Sequence, residues 1–339
     1  MDFAGGLLKS DRQGPVFERL AQRSQIEHRW SVLAPASALQ RGERQSTVDA
    51  DGFYRLGAFP STAKRMRRYE SHAAELAAEA VAGLDLGDRA GEVTHVIAVS
   101  CTGLSAPGLD LQLVQRCGLN PSVERTVVGF MGCYAAINAL KLARHIVRSE
   151  SQARVLLVSV ELCTLHLQET ANLEQVLSFL VFGDGCAAAL VTSEPHGLSL
   201  DRFHAVLAPE AVGQITWTVG DQGFDMFLSG QVPASVGAAL RTGKNDILDG
   251  IAVGEIDLWA VHPGGRSVLD AVESALHLEP SALTASREVL RRYGNMSSAT
   301  ILFVLAALMD RAQPGERGCA MAFGPGLTAE TLLFTAAGP

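Results

Sequence analysis

The sequence predicts an α/β chain built as two similar halves, and three observations carry that prediction. Short β-rich apolar runs alternate with stretches of helical period, polar residues capable of chemistry fall where those runs end, and the order of elements occurs twice. In the first half "VTHVIAVS" (93–100) reads as a strand ending at Cys101-Thr102-Gly103. About 30 residues later Gly132-Cys133 opens a helix, and the strands "RVLLVSV" (154–160) and "CAAALVTS" (186–193) follow. In the second half "EIDLWAV" (255–261) ends at His262-Pro263-Gly264. About 30 residues on, Gly294-Asn295 precedes the helix "SSATILFVLAALMDRA", and "GCAMAFG" (318–324) and "TLLFTAA" (331–337) close the chain.

A repeat of this length is too long for a solenoid and implies two similar sheets packed through shared helices. The halves are expected to divide at 195/196, with Cys133 in residues 1–195 and His262 and Asn295 in residues 196–339. The helices after Cys133 and Asn295 read as apolar nearly all round, so both are expected at the centre. The repeat also exposes a gap. The second half opens with an additional strand, "GLSLDRFHAVLA" (197–208), ahead of its first helix "ASVGAALRTGKNDIL". Only "MDFAGGLLKSDRQG" precedes the helix expected at 15–27, so the first sheet is expected to lack its N-terminal strand. In-frame upstream codons spelling a β-rich segment would place the true start earlier; an immediate stop would exclude that.

Composition removes several classes of function. A chain of 339 residues, 47% hydrophobic, can bury a large core, and a net charge of −8 argues against general nucleic-acid binding. The six cysteines (101, 117, 133, 163, 186 and 319) show no CxxC and no ligand spacing, which points to a reducing compartment and no structural zinc. The longest apolar run, "ATILFVLAALM", is too short for a membrane span, and the N-terminus has no secretory pattern, so a cytoplasmic protein is expected.

Three groups then stand at matching element ends. A thiol at a helix N-terminus meets free backbone N–H groups that favour thiolate, and a nearby histidine can take its proton. A carboxamide such as Asn295 donates to an oxyanion without giving up its proton, which suits an enolate better than ester hydrolysis.

The motifs "GFMGCYAA", "VFGDGCAAALV", "WAVHPGG", "YGNMSSAT" and "AFGPGLT" resemble, in order and spacing, those of the type III polyketide synthases, the chalcone synthase-like family. The likeness runs from about Phe17 to the C-terminus. It implies the thiolase fold, two duplicated αβαβα halves, in a homodimer that uses CoA thioesters and no metal or redox cofactor. It further implies that Cys133 carries the starter and growing chain, while His262 and Asn295 bind malonyl-CoA and hold its enolate. Phe182 matches a gatekeeper aromatic, and Met226 stands where plant enzymes have a second phenylalanine. Cys163 and His166 fall in a cavity-lining stretch; His166 reads equally as a product-shaping donor or a capped structural histidine, and Cys163 as a core residue. Ser297 matches a further cavity position, with a helix N-cap as the alternative. Gly324 and Pro325 match a back-wall loop. Arg19 and Arg23 match a basic helix that grips CoA phosphates, with Val16 in place of a lysine, whereas "AKRMRRYE" (63–70) reads as a solvated helix face. The resemblance favours bacterial members and alkylpyrone or alkylresorcinol products, with a malonyl-only tetrahydroxynaphthalene as second choice. The alternatives weighed are an initiating ketoacyl-carrier-protein synthase, which shares the Cys/His/Asn logic, and a non-catalytic thiolase-fold partner.

Overall fold

The computed structural model describes residues 13–35 and 49–338. Helices α1 (Gln13–Arg23) and α2 (Thr62–Ala82) precede β1 (His95–Ser100), α3 (Leu109–Arg116), β2 (Glu124–Gly129), α4 (Ala135–Ser149), β3 (Val155–Leu162), α5 (Leu173–Val181) and β4 (Asp184–Val191). These four strands form one sheet in the order β2-β1-β3-β4, with β1 parallel to both neighbours and β4 antiparallel to β3. β1 and β3 are buried along their whole length, which is why they read as continuous apolar runs. Successive side chains face opposite cores. Val96 and Ala98 pack with Ala73, Ala77 and Val81 of α2, while Ile97 and Val99 pack with Ile137 and Leu140 of α4.

The second half comprises β5 (Gly197–Leu207), β6 (Ile215–Gly220), β7 (Gly223–Leu228), α6 (Val232–Ile247), β8 (Leu258–Val261), α7 (Arg266–Leu276), α8 (Thr284–Tyr293), α9 (Thr300–Met309), β9 (Arg317–Gly324) and β10 (Thr328–Gly338). Its sheet runs β5-β10-β9-β8, with only β8–β9 parallel. α4 and α9 lie between the sheets, sharing one core with β1, β3, β8, β9 and β10. α2 and α3 cover the outer face of the first sheet, and α6 and α7 cover that of the second. The layering is the two packed sheets expected from the repeat and the αβαβα plan that the resemblance implies. α9 is apolar on all sides as expected, but α4 is one-sided: Lys141 pairs with Glu330 at 2.8 Å and Arg144 donates to the Leu200 carbonyl.

β5 forms one edge of the second sheet, beside β10, whereas β4 at the equivalent edge of the first has no further strand among the described residues. Past Asp184, β4 is only half-buried along its length. Residues 1–12, on which the prediction of a missing strand falls, lie outside the described residues. One element was not foreseen. Between β5 and α6 the chain inserts the β6–β7 hairpin, a separate two-stranded sheet that carries Met226.

Candidate active site

Cys133 sits on the turn between β2 and α4, two residues before the first helical residue. That turn is tight. Gly132 has φ +81°, and a Cβ there would fall 2.2 Å from Pro325 Cδ. Gly324 serves the same approach from the other side, since a Cβ on it would lie 2.7 Å from the Tyr134 ring and 3.3 Å from the Cys133 nitrogen. The end of β9 is thereby pressed against the nucleophile's turn. The Cys133 sulfur is buried, 3.7 Å from Ser297 Oγ. Burial pushes the thiol up to about 12, and the neighbouring Ser297 and Asn295 side chains pull the other way.

His262 follows β8, its backbone N–H bonded to the Met321 carbonyl at 2.8 Å. The ring is 1% exposed, and among the described residues neither of its nitrogens has a hydrogen-bond partner. Burial alone pushes it down to about 3. Asn295 follows the Gly294 C-cap of α8 and is fixed by its backbone, donating to the Val181 carbonyl and accepting from Gly183 N–H at 2.8 and 2.9 Å. Its Oδ1 accepts from Ser297 N–H at 2.8 Å, which leaves the amino group to donate, at 3.4 Å to the Gly264 carbonyl. A chain of contacts therefore joins the three predicted groups: Cys133 to Ser297, Ser297 to Asn295, Asn295 to the Gly264 that follows His262 by two residues. As the site stands, the thiol and the imidazole are both neutral. Moving the proton from sulfur to nitrogen would create two opposite charges within one buried site, which costs less than ionising either buried group alone.

Beside this constellation lies a cavity of about 310 Å³. Cys133, Cys101, Thr102, Ser297 and Pro325 line one part, and Leu33, Leu167, Phe179, Leu180 and Trp217 make most of the remaining wall apolar. Trp30, which lines it while 62% exposed, marks its mouth. Phe182, Met226, Cys163, His166, Ser297 and Pro325 all reach the wall. Gly324, His262 and Asn295 do not; the last two connect to it through Gly264 and Ser297. Arg19 and Arg23 lie exposed on α1, away from the cavity wall.

Three sequence readings are resolved here. Both nitrogens of His166 are engaged, Nδ1 accepting from Phe224 N–H at 3.0 Å and Nε2 donating to the Thr102 carbonyl at 2.7 Å, so it has no hydrogen to offer a product. Ser297 has φ +47° and stands beside the nucleophile rather than capping α9. In the basic stretch 63–70, Arg65 is not solvated: it is fully buried, donating to the Pro60, Leu165 and Leu167 carbonyls and the Tyr54 hydroxyl.

Sequence reasoning missed Glu161. Its buried carboxylate accepts from Cys101 N–H at 3.0 Å, Thr102 Oγ1 at 2.8 Å and Ser298 Oγ, and burial pushes it up to about 7. The signal was present: a lone acidic residue near the end of the apolar run "VLLVSVEL". A carboxylate inside a buried strand is held there by partners.

Comparison with known proteins places this geometry. The sequence matches the family described as chalcone and stilbene synthases, with the N-terminal domain over residues 14–195 and the C-terminal domain over 201–337. It is 34% identical over 292 residues to the alpha-pyrone synthesis polyketide synthase-like Pks18 of Mycobacterium tuberculosis, covering 81% of this chain and 74% of that one. It is 36% identical over 284 residues to bisdemethoxycurcumin synthase of Oryza sativa subsp. japonica, covering 78% and 70%. The structure of 1,3,6,8-tetrahydroxynaphthalene synthase from Streptomyces coelicolor, a bacterial type III polyketide synthase, matches with a TM-score of 0.83 at 27% identity, over 98% of this chain and 93% of that one.

Proposed function

The chain belongs to the chalcone and stilbene synthases, the type III polyketide synthases, and on that premise we propose that it extends an acyl-CoA starter with malonyl-CoA on Cys133. The single observation that carries the reading is the fully buried His262 ring, unpartnered among the described residues and joined through Gly264 and Asn295 to Ser297 and the Cys133 thiol. Leaving two imidazole nitrogens unsatisfied in the interior costs free energy, and a bound substrate oxygen would recover it.

In this scheme His262 takes the Cys133 proton as the sulfur attacks the starter thioester, and the proton leaves on the CoA thiolate. Malonyl-CoA then binds with its thioester oxygen toward the His262 N–H and the Asn295 amino group. Loss of CO₂ puts the electron pair into an enolate held by those two donors. Its carbon attacks the Cys133 acyl group, forming the new C–C bond and expelling the thiolate. Donors held in place by backbone bonds, as Asn295 is, need no reorganisation when the enolate charge appears. Phe182, on the wall, would keep water from the leaving carboxylate. No step asks for a metal or redox cofactor.

The apolar wall supports an alkyl starter and a pyrone product, in line with the name of the mycobacterial relative. A malonyl-only route is the second reading, favoured by the likeness to the tetrahydroxynaphthalene synthase. The family match displaces the initiating ketoacyl synthase, and the presence of Cys133, His262 and Asn295 together speaks against a scaffold. Arg19 and Arg23 are assigned to the CoA phosphates; Arg266, which donates to the Arg23 carbonyl at 3.4 Å, brings a third guanidinium beside them. The exposed edge of β2 supports a homodimer. No described helix is long and apolar enough to cross a membrane, and a cytoplasmic location is part of the same proposal.

The test is mass spectrometry of products from labelled malonyl-CoA with acyl-CoA starters of graded length. Extended products should appear and vanish in Cys133→Ala, whereas CO₂ release can outlast the thiol. Asn295→Ala should slow decarboxylation about 10²–10³-fold, the usual cost of one oxyanion donor. Free starter acid alone, across the whole panel, would overturn the reading.

A further inference from the structure

Among the described residues, every exposed residue on the cavity wall belongs to one segment: Arg29, Trp30, Ser31 and Pro35. That segment is the rim of the mouth, yet residues 29–34 form no helix or strand of their own. Their fastenings come from elsewhere. Arg29 Nη1 donates to the Phe179 and Phe182 carbonyls at 2.7 and 3.4 Å, and Ala50 N–H donates to the Ala34 carbonyl at 2.9 Å. Between those ends, the described backbone bonds that leave the segment both run to Asp184, the first residue of β4. Its N–H donates to the Trp30 carbonyl at 2.8 Å, and its Oδ2 accepts from Val32 N–H at 2.9 Å.

Side chains reinforce the same point. Thr164 N–H donates to Asp184 Oδ1 at 2.8 Å and Thr164 Oγ1 to Oδ2 at 2.6 Å. With its hydrogen spent on the carboxylate, Thr164 Oγ1 accepts from Ser31 Oγ at 2.7 Å, which in turn accepts from Leu33 N–H at 3.1 Å. These hydrogen bonds all run one way, toward a carboxylate that is 3% exposed. Burial pushes that carboxyl up to about 6, so at pH 8 it is ionised and only accepts. The turn before it is shaped for the approach, since a Cβ on Gly183 would lie 3.4 Å from both Arg29 Cβ and the Trp30 carbonyl oxygen. A rim held still discriminates by width, and one that is released yields to a wider group. We propose that Asp184 is a positioning residue for starter admission: it holds residues 30–33 across the mouth and so sets the width of acyl group that passes. It touches no reacting atom. This rests on the synthase reading given above.

The experiment compares wild type with Asp184→Ala, Asp184→Asn and Ser31→Ala at pH 8 by two readouts. The first needs no substrate: Cys133 is alkylated by N-ethylmaleimide and by N-pyrenylmaleimide, and peptide mass spectrometry locates the adducts. The ratio of the bulky rate to the small one cancels changes in the thiol itself. It should rise about tenfold in Asp184→Ala, less in Asp184→Asn, which keeps one acceptor oxygen, and about twofold in Ser31→Ala. The second is kcat/KM for benzoyl-CoA relative to hexanoyl-CoA. It should rise about fivefold in Asp184→Ala, through KM rather than kcat. A merely structural role would lower the melting temperature and move neither ratio. A folded Asp184→Ala with both ratios at wild type would overturn the proposal. If Asp184→Ala fails to fold, wild-type ratios in Asp184→Asn and Ser31→Ala would overturn it. A raised maleimide ratio with an unchanged starter ratio would overturn the role in admission. Absence of C–C product from wild type with every starter would overturn the synthase reading and that role with it, while a raised maleimide ratio would still show that Asp184 holds the rim.

Discussion

Burial acts in opposite directions on the two groups that must exchange a proton. It raises the Cys133 thiol to about 12 and lowers the His262 ring to about 3, so neither ionises alone near neutrality. If thiolate forms only as a pair with imidazolium, alkylation of Cys133 by iodoacetamide at pH 7 should fall at least tenfold in His262→Gln. Ser297→Ala should slow it a few-fold, because that hydroxyl lies 3.7 Å from the sulfur. Equal rates in the three proteins would mean the sulfur ionises without either partner. Glu161 titrates on the other side of the same loop. Burial raises its folded pKa from 4.5 to about 7, so the folded state holds its proton more tightly than the unfolded chain does. The stability this contributes is full below pH 4.5 and is lost as pH rises through 7. Relative to Glu161→Gln, which does not titrate, wild type should lose about 3 kcal/mol between pH 4.5 and pH 8. Denaturant midpoints at the two pH values measure this; a constant gap would show the carboxyl titrates as if exposed.

At the scale of elements, the residues that bear chemistry were legible because they stand at the ends of strands and helices that pattern alone identifies. Cys133, His262 and Asn295 were read in that way, from a repeat of apolar runs. Contacts between distant motifs were not legible. "GFMGC" and "FGPG" each read as a turn, and only the structure shows Pro325 resting where a Gly132 side chain would be. The hairpin escaped for the same reason. Its partners, Thr62, His166 and Gln168, lie in the first half of the chain, and nothing local in "ITWTVGDQGFDMFL" announces them. The Gly132 contact is testable against an internal reference. Gly118 also has a positive φ, +64°, but a Cβ there meets nothing within 4 Å. Gly118→Ala should cost about 1 kcal/mol, for the backbone alone. Gly132→Ala should cost roughly 3 kcal/mol or more, because overpacking against Pro325 adds to the same backbone strain. Equal losses in thermal denaturation would show that the loop after β9 yields without resistance.

For the whole molecule, the open question is what covers β2. Among the described residues it is an edge strand whose only ladder is with β1, and Val127 on it is 56% exposed, with Phe130 and Met131 exposed on the turn that follows. An uncovered apolar edge is a template for another strand, and pairing with the same edge of a second copy closes on itself by two-fold symmetry. The turn that would lie in that interface is the one carrying Cys133, so association would brace the nucleophile's position as well as bury the edge. Charge works against this pairing: each copy carries −8, so the apolar end of the strand at Val127, Phe130 and Met131 and the strand's backbone groups must supply the attraction. Salt screens the repulsion over about 10 Å at 0.1 M, which gives the dimer a definite sign of salt dependence, tighter as salt rises. Sedimentation velocity should find a dimer at micromolar concentration, with a dissociation constant that falls between 50 and 500 mM NaCl, about an order of magnitude in ionic strength across the screening range. Val127→Lys with Met131→Lys should give a folded monomer, since each copy then sets two ammonium groups against their equivalents. A dimer that survives both lysines would have to use another face, and β2 would then need a different explanation for its exposure.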